Sequence, residues 1–110
     1  MCNRYNIDGN PREIAKAFSA HLVREFEFSP DINPRSLAPG ILRKADGERE
    51  LHPMQFALAP PGSKTPFDPK RAFNDARVES AEKWPWNIPF VRHRCIVPLS
   101  EFREPCASKT

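Results

Sequence analysis

Apolar and polar positions near the N-terminus predict a helix. Asn10 is of a residue type that caps helices, Pro11 fits the first turn, and Glu13 stands where a capping box needs a carboxylate. The apolar residues that follow recur at four-residue spacing, which places them on one helical face. We therefore expect a helix over residues 11–24. The residues of its apolar face are Ile14, Phe18 and Leu22.

Short apolar runs between turn signals predict strands. The dipeptide Asp46-Gly47 is typical of a hairpin turn, and it separates a strand expected to include residues 40–44 from a second strand within residues 50–58 that is expected to include residues 55–58. Pro53 predicts an edge or bulge where the second strand begins, since proline gives no N–H to a ladder. Further expectations are strands at residues 1–7, 72–78 and 94–99, loops at 29–39 and 59–71, one helical turn within 80–91, and no element at 101–110. This pattern predicts a β-rich α+β fold.

The composition is that of one globular domain, expected to span residues 1–110. Hydrophobic residues make up 39% and charged residues 28%, which excludes disordered and membrane-embedded classes. No apolar run reaches the roughly 18 residues of a membrane span, and the N-terminus lacks a signal-peptide pattern. We therefore expect a cytoplasmic protein, associated with the nucleoid if it is bacterial. The net charge of +3 permits binding to a phosphate backbone without requiring it.

The three cysteines do not indicate a disulfide framework or a metal site. The number of cysteines is odd, and no two of them form a CxxC pair. They are Cys2, Cys95 and Cys106. A zinc site built from Cys95, Cys106 and His93 would have a spacing that matches no standard zinc finger. We therefore expect no metal ion and no cofactor.

Four segments carry a resemblance to a known family. They are MCNRY at residues 1–5, DINP followed by APGI within residues 31–41, ARVES at residues 76–80, and RCIVPLSEFRE at residues 94–104. In this order and spacing they resemble the SOS-response-associated peptidase (SRAP) family, with its MCGRY start, its NAR-x-ET motif and its RCLVPADGFYE motif. The resemblance implies a β-rich fold that covers single-stranded DNA and links covalently to abasic sites.

The resemblance makes Cys2 the reactive residue. After loss of Met1, a terminal cysteine carries both a thiol and an α-amine of pKa roughly 7.7–8.0, so part of the amine is neutral near pH 7. That amine can form a Schiff base with the aldehyde of an abasic sugar. The thiol can then close a thiazolidine ring, which is favoured because the closure is intramolecular. A neighbouring Arg4 or Arg77 would favour the thiolate.

The motifs imply further site residues. Glu104 matches the glutamate of the family's last motif, where it would transfer protons, although Glu101 lies only three residues away. Arg77 matches the arginine of NAR and would hold phosphate, with an ion pair to Asp75 or Glu79 as the alternative. The predicted DNA-binding residues are Arg4, Asn74, Asp75, Arg77 and Pro39.

This chain also departs from the family pattern. The asparagine of NAR is replaced by Asp75, with Asn74 one place earlier, and the family's WGLIP reads FALAP at residues 56–60. The tryptophans Trp84 and Trp86 are expected to anchor loops, or alternatively to stack on bases. The family domain is about twice as long, and none of this chain's histidines matches its catalytic histidine. We therefore expect an N-terminal, truncated portion of the domain, with an uncovered apolar face and an impaired catalyst.

The residues are compatible with three different functions. The first is covalent capture of abasic sites in single-stranded DNA, with associated self-peptidase activity. The second is a module that binds single-stranded DNA without chemistry. The third is a peptidase that only removes the residues preceding Cys2.

Overall fold

The structure, a computed structural model, describes residues 4–58, 62–65 and 76–103. Its elements are β1 (Arg4–Asn6), α1 (Pro11–Ala17), β2 (Ala20–Leu22), β3 (Asp31–Ile32), β4 (Leu37–Arg43), β5 (Arg49–Gln55), a 3-10 helix (Val78–Ser80), α2 (Asn87–Arg92) and β6 (Glu101–Arg103). The strands form two three-stranded sheets, in the orders β3-β1-β6 and β2-β5-β4. The predicted α+β class is confirmed.

Helix α1 begins as its sequence predicts and ends earlier. The Asn10 side chain accepts from the Glu13 N–H at 2.9 Å, and the Glu13 carboxylate accepts from the Asn10 N–H at 3.2 Å, which completes the capping box. The expectation of a helix to residue 24 was wrong. Ser19 leaves the helical region with φ 51°, and residues 20–22 instead form a parallel strand beside β5. Pairing with the sheet therefore takes the place of the last predicted helical turns.

The β4–β5 hairpin forms around the predicted turn. The Lys44 N–H donates to the Glu48 carbonyl at 2.7 Å, and Gly47 supplies the positive φ of 91° that the turn needs. The Glu48 N–H donates to the Asp46 carboxylate at 2.9 Å, and this bond lowers the pKa of Asp46. Strand β4 begins earlier than expected, and β5 ends at Gln55, so residues 56–58 of the second predicted strand lie outside it.

Pro53 lies inside β5 because another proline faces it. Pro39 of β4 is its direct partner. The Ile41 N–H points away from β5 and donates to the Ile96 carbonyl at 2.9 Å. Pairs alternate in an antiparallel ladder, so Pro39 and Pro53 occupy a non-hydrogen-bonded position where neither N–H is needed. On its other side β5 pairs with β2 only over residues 49–51, so Pro53 interrupts no ladder there. The two prolines therefore fit the ladder opposite each other, and the expected bulge does not form.

The hydrophobic core joins both sheets to α1. Ile32 and Leu51 are fully buried, and Ile41 is 2% exposed. Leu51 lies in the central strand of its sheet, opposite Ile41 on one side and Leu22 on the other. The buried cluster is Tyr5, Ile7, Ile14, Ala15, Ile32, Ala38, Ile41 and Leu51.

The C-terminal third of the chain differs most from expectation. Val78 begins a 3-10 helix rather than ending a strand, while residues 72–75 of that predicted strand lie outside the described residues. Residues 94–99 form only the Ile41–Ile96 bridge, and β6 forms after them, where no element was expected. Pro98 removes one N–H from the expected strand. Large exposed apolar side chains in this part are Val78, Trp84, Ile88, Phe90, Val91, Ile96, Val97, Leu99 and Phe102.

Candidate functional site

The candidate site is built on the pairing of β1 with β6. Arg4 lies opposite Arg103, Tyr5 opposite Phe102 and Asn6 opposite Glu101, in antiparallel register. This ladder joins the first and last described residues of the chain. Of the predicted site residues, Cys2, Asn74, Asp75 and Glu104 lie outside the described residues.

Strand β1 is held in place by one buried aromatic contact. Tyr5 is 5% exposed, and its ring meets that of Phe56 edge-on at a centroid distance of 5.3 Å. This geometry is favourable for two aromatic rings and adds to the burial of their apolar area. Phe56 stands where the family's WGLIP motif has tryptophan. The phenyl ring of Phe56 packs against Tyr5 in the strand that carries Arg4.

The two predicted phosphate-binding arginines are both exposed. Arg4 lies at the start of β1, and Arg77 immediately precedes the 3-10 helix, where its carbonyl accepts from the Ser80 N–H at 2.9 Å. Arg77 makes no ion pair with Glu79 among the described contacts. The alternative partner of Arg77, Asp75, lies outside the described residues.

Pro39 occupies a different environment from the arginines. Its side chain is less than 2% exposed and lies within the sheet opposite Pro53. This burial leaves the ring no surface for direct contact with DNA. The position of Pro39 makes it a support for β4.

The tryptophans of the predicted loop differ in exposure. Trp84 is 61% exposed, whereas Trp86 is half-buried and lines a depression with Val78, Pro89 and Phe90. Trp86 therefore takes part in local packing, as expected for a loop anchor. Trp84 presents its ring to solvent, which leaves open the alternative role of stacking on a base.

Sequence reasoning missed a cluster of arginines at the turn end of the β4–β5 hairpin. Arg43 lies directly opposite Arg49, and Arg94 approaches them from the segment that bridges to β4. Arg43 and Arg49 each lie three residues from Asp46, so the predicted turn could have indicated from the sequence that they face each other. Cys95 lines the same depression and is exposed, and partial desolvation raises the pKa of its thiol.

Two further features bear on chemistry. His52 Nε2 lies 3.2 Å from the Glu50 carboxylate on β5, in the sheet that does not contain β1. Within the described part of the chain, no three His, Cys, Asp or Glu side chains are grouped to hold a metal ion.

None of the described helices is long and apolar enough to cross a membrane.

Comparisons with known proteins agree with the fold. The family model described as SOS response associated peptidase (SRAP) matches residues 1–110. A crystal structure of a protein from Bordetella bronchiseptica is similar, with a TM-score of 0.67 and 25% identity. The match covers 89% of this chain and 48% of that one, so this chain spans about half of its length. Comparison with curated proteins gave no match.

The backbone conformation of Ala57 is expected to lower the stability of the chain. Ala57 has φ 100°, a conformation that favours glycine, and it stands where the WGLIP motif has glycine. We expect Ala57→Gly to stabilise the chain by about 1 kcal/mol, since relief of strain exceeds the entropy that glycine loses. Urea denaturation measures the change. Ala45→Gly, at an exposed position without positive φ, is the control and should destabilise slightly. Equal effects of the two substitutions would contradict the strain at Ala57.

Proposed function

This chain belongs to the SOS response associated peptidase family, and on that premise we propose that it captures abasic sites in single-stranded DNA through Cys2. The capture requires that Met1 be removed, because only then is the Cys2 amine free. Glu104 is the proposed proton-transfer group. Arg4 and Arg77, with Asn74 or Asp75, are the proposed DNA contacts.

The proposed reaction needs no oxidant or reductant. The Cys2 amine attacks the aldehyde carbon of the abasic sugar, and the resulting carbinolamine loses one water to give a Schiff base. The thiol sulfur then bonds to the same carbon while its proton passes to nitrogen, which closes the thiazolidine ring. A carboxylic acid at the site can protonate the departing hydroxyl, and its conjugate base can accept the thiol proton.

The observation that carries this proposal is the register of β1 with β6. Cys2 precedes Arg4 by two residues, and Glu104 follows Arg103 by one. Arg4 and Arg103, the described residues nearest in sequence to Cys2 and Glu104, are direct partners. This pairing supports the assignment of the two motifs to one site, which the sequence resemblance implies.

The same register favours Glu104 over its competitor. Glu101 lies opposite Asn6, at the other end of the ladder from Arg4. A carboxylate at position 101 is therefore two residues away along β6 from the Arg4–Arg103 pair. Arg4 is exposed at the nearer end, where its positive charge can favour a thiolate and attract a phosphate.

A covalent trapping assay tests the proposal. The chain, with Met1 removal verified by mass spectrometry, is mixed with a single-stranded oligonucleotide that contains one abasic site. The products are resolved on a denaturing gel. We expect a stable adduct with the abasic strand and none with the same strand lacking the abasic site, and the adduct mass should equal the sum of the reactants minus one water. Absence of an adduct would refute the proposal.

A second candidate is a single-stranded DNA-binding module without chemistry. It is favoured by the exposure of Arg4 and Arg77, which can hold phosphate without any reaction at Cys2. It predicts retention of abasic DNA under native conditions and complete release in denaturant. A peptidase that acts only on its own N-terminus predicts loss of Met1 with neither binding nor trapping.

A further inference from the structure

A depression of about 250 Å³ lies beside the turn end of the β4–β5 hairpin, away from the β1–β6 ladder. It combines three cationic side chains with an apolar floor. Its lining residues are Arg43, Arg49, Arg94, Cys95, Ile41 and Ile96. The three arginines are exposed, so the depression is open to a large ligand.

The register of the hairpin places two of these side chains next to each other. Arg43 and Arg49 are direct partners, so their Cβ atoms lie roughly 5 Å apart on the same face of the sheet. Like charges in this relation repel each other. Glu50 does not compensate them, since strand alternation places it on the opposite face, where its carboxylate contacts His52 at 3.2 Å.

The three arginines have no carboxylate partner among the described contacts. Arg49 donates to the Phe18 carbonyl at 2.9 Å, and Arg94 donates to the Phe90 carbonyl at 2.5 Å. These bonds orient the side chains without neutralising their charge. A guanidinium has five N–H donors, so each arginine keeps donors for an anion.

We propose that Arg43, Arg49 and Arg94 bind a phosphate group of a nucleic-acid backbone. Guanidinium groups match phosphate oxygens in geometry, and an anion would relieve the repulsion between Arg43 and Arg49. The apolar floor formed by Ile41 and Ile96 strengthens such a contact by excluding water from one side. The exposure of all three arginines favours a polymer backbone over a small enclosed anion.

The proposed phosphate site lies at the turn end of β4, whereas a smaller depression lined by the buried residues Tyr5 and Pro39 lies nearer the start of that strand. Cys95 lines both depressions. Because Arg43, Arg49 and Arg94 are all exposed, the phosphate site is the part of this face that a DNA backbone can reach. The inference shares DNA as a partner with the proposed function and does not depend on the chemistry of Cys2.

Salt-dependent binding tests the site with a strand that has no abasic site. Fluorescence anisotropy of a labelled 20-nucleotide single strand is measured with the full chain over a series of NaCl concentrations. Arg43→Gln should weaken binding several-fold and reduce the slope of log K against log salt by about 0.7, the value for one lost phosphate contact on a single strand. Arg43→Lys retains the charge and should recover part of the affinity.

Arg24→Gln is the matched control. Arg24 is exposed, undergoes the same change of charge and does not line the depression. Equal losses for Arg24→Gln and Arg43→Gln would overturn the inference, because they would show a general effect of net charge. Tight binding of inorganic phosphate at Arg43 without an effect of Arg43→Gln on DNA would also overturn it. Urea denaturation verifies that the variants are folded, and Arg43→Lys provides the comparison if Arg43→Gln is not. A failure of abasic-site trapping would leave these outcomes unchanged.

Discussion

Replacing Cys2 with alanine is expected to reduce the denaturant-stable DNA adduct to background. Alanine keeps the α-amine, so a Schiff base can still form, but no thiol remains to close the ring. The open imine hydrolyses under denaturing conditions, whereas the thiazolidine persists because its closure is intramolecular. Reduction with borohydride before denaturation should therefore recover an adduct from Cys2→Ala. This recovery distinguishes loss of ring closure from loss of DNA binding.

Cys95→Ala is the control for the Cys2 experiment. Cys95 is exposed, but desolvation raises the pKa of its thiol, and as an internal residue it has no free amine. It can supply a thiol but no α-amine, so its replacement should leave the mass and the denaturant stability of the adduct unchanged. A stable adduct from Cys2→Ala without borohydride would show that the reactive group lies elsewhere.

A large effect on stability is expected at Leu51. Its side chain is fully buried in the central strand β5, between Leu22 of β2 and Ile41 of β4. Leu51→Ala removes apolar contacts and leaves a cavity, which costs about 2–5 kcal/mol at such sites. Small domains are stable by only about 5–15 kcal/mol, so this change is a large fraction of the total. Urea denaturation followed by circular dichroism measures the loss.

Leu37→Ala provides a comparison with the same chemical change. Leu37 lies in the adjacent strand β4 and is 44% exposed, so its truncation removes less buried area. We expect it to lower the free energy of unfolding by less than half as much as Leu51→Ala. Similar losses from the two substitutions would mean that the two sheets do not pack around Leu51 as described.

Features set by a few adjacent residues were predictable from the sequence. The Asn10–Glu13 capping box and the turn at Asp46-Gly47 formed as expected, since their hydrogen bonds link residues at most four apart. Strand β6 and the end of α1 were not predictable in this way. Arg103 pairs with Arg4, and Leu22 pairs with Leu51, so these elements depend on partners distant in the chain.

The candidate site also has features that the sequence predicts and others that only the tertiary structure shows. The motif around Cys2 and the glutamate at position 104 were recognised from the sequence, because the chemistry of a terminal cysteine depends on residue type and position alone. Only the tertiary structure brought Arg4 beside Arg103 and put Pro39 inside the sheet. It likewise brought Arg94 to the Arg43–Arg49 pair. Residue identity determines which reactions a side chain can perform, whereas strand register and packing determine which side chains meet, and these rest on contacts between distant segments.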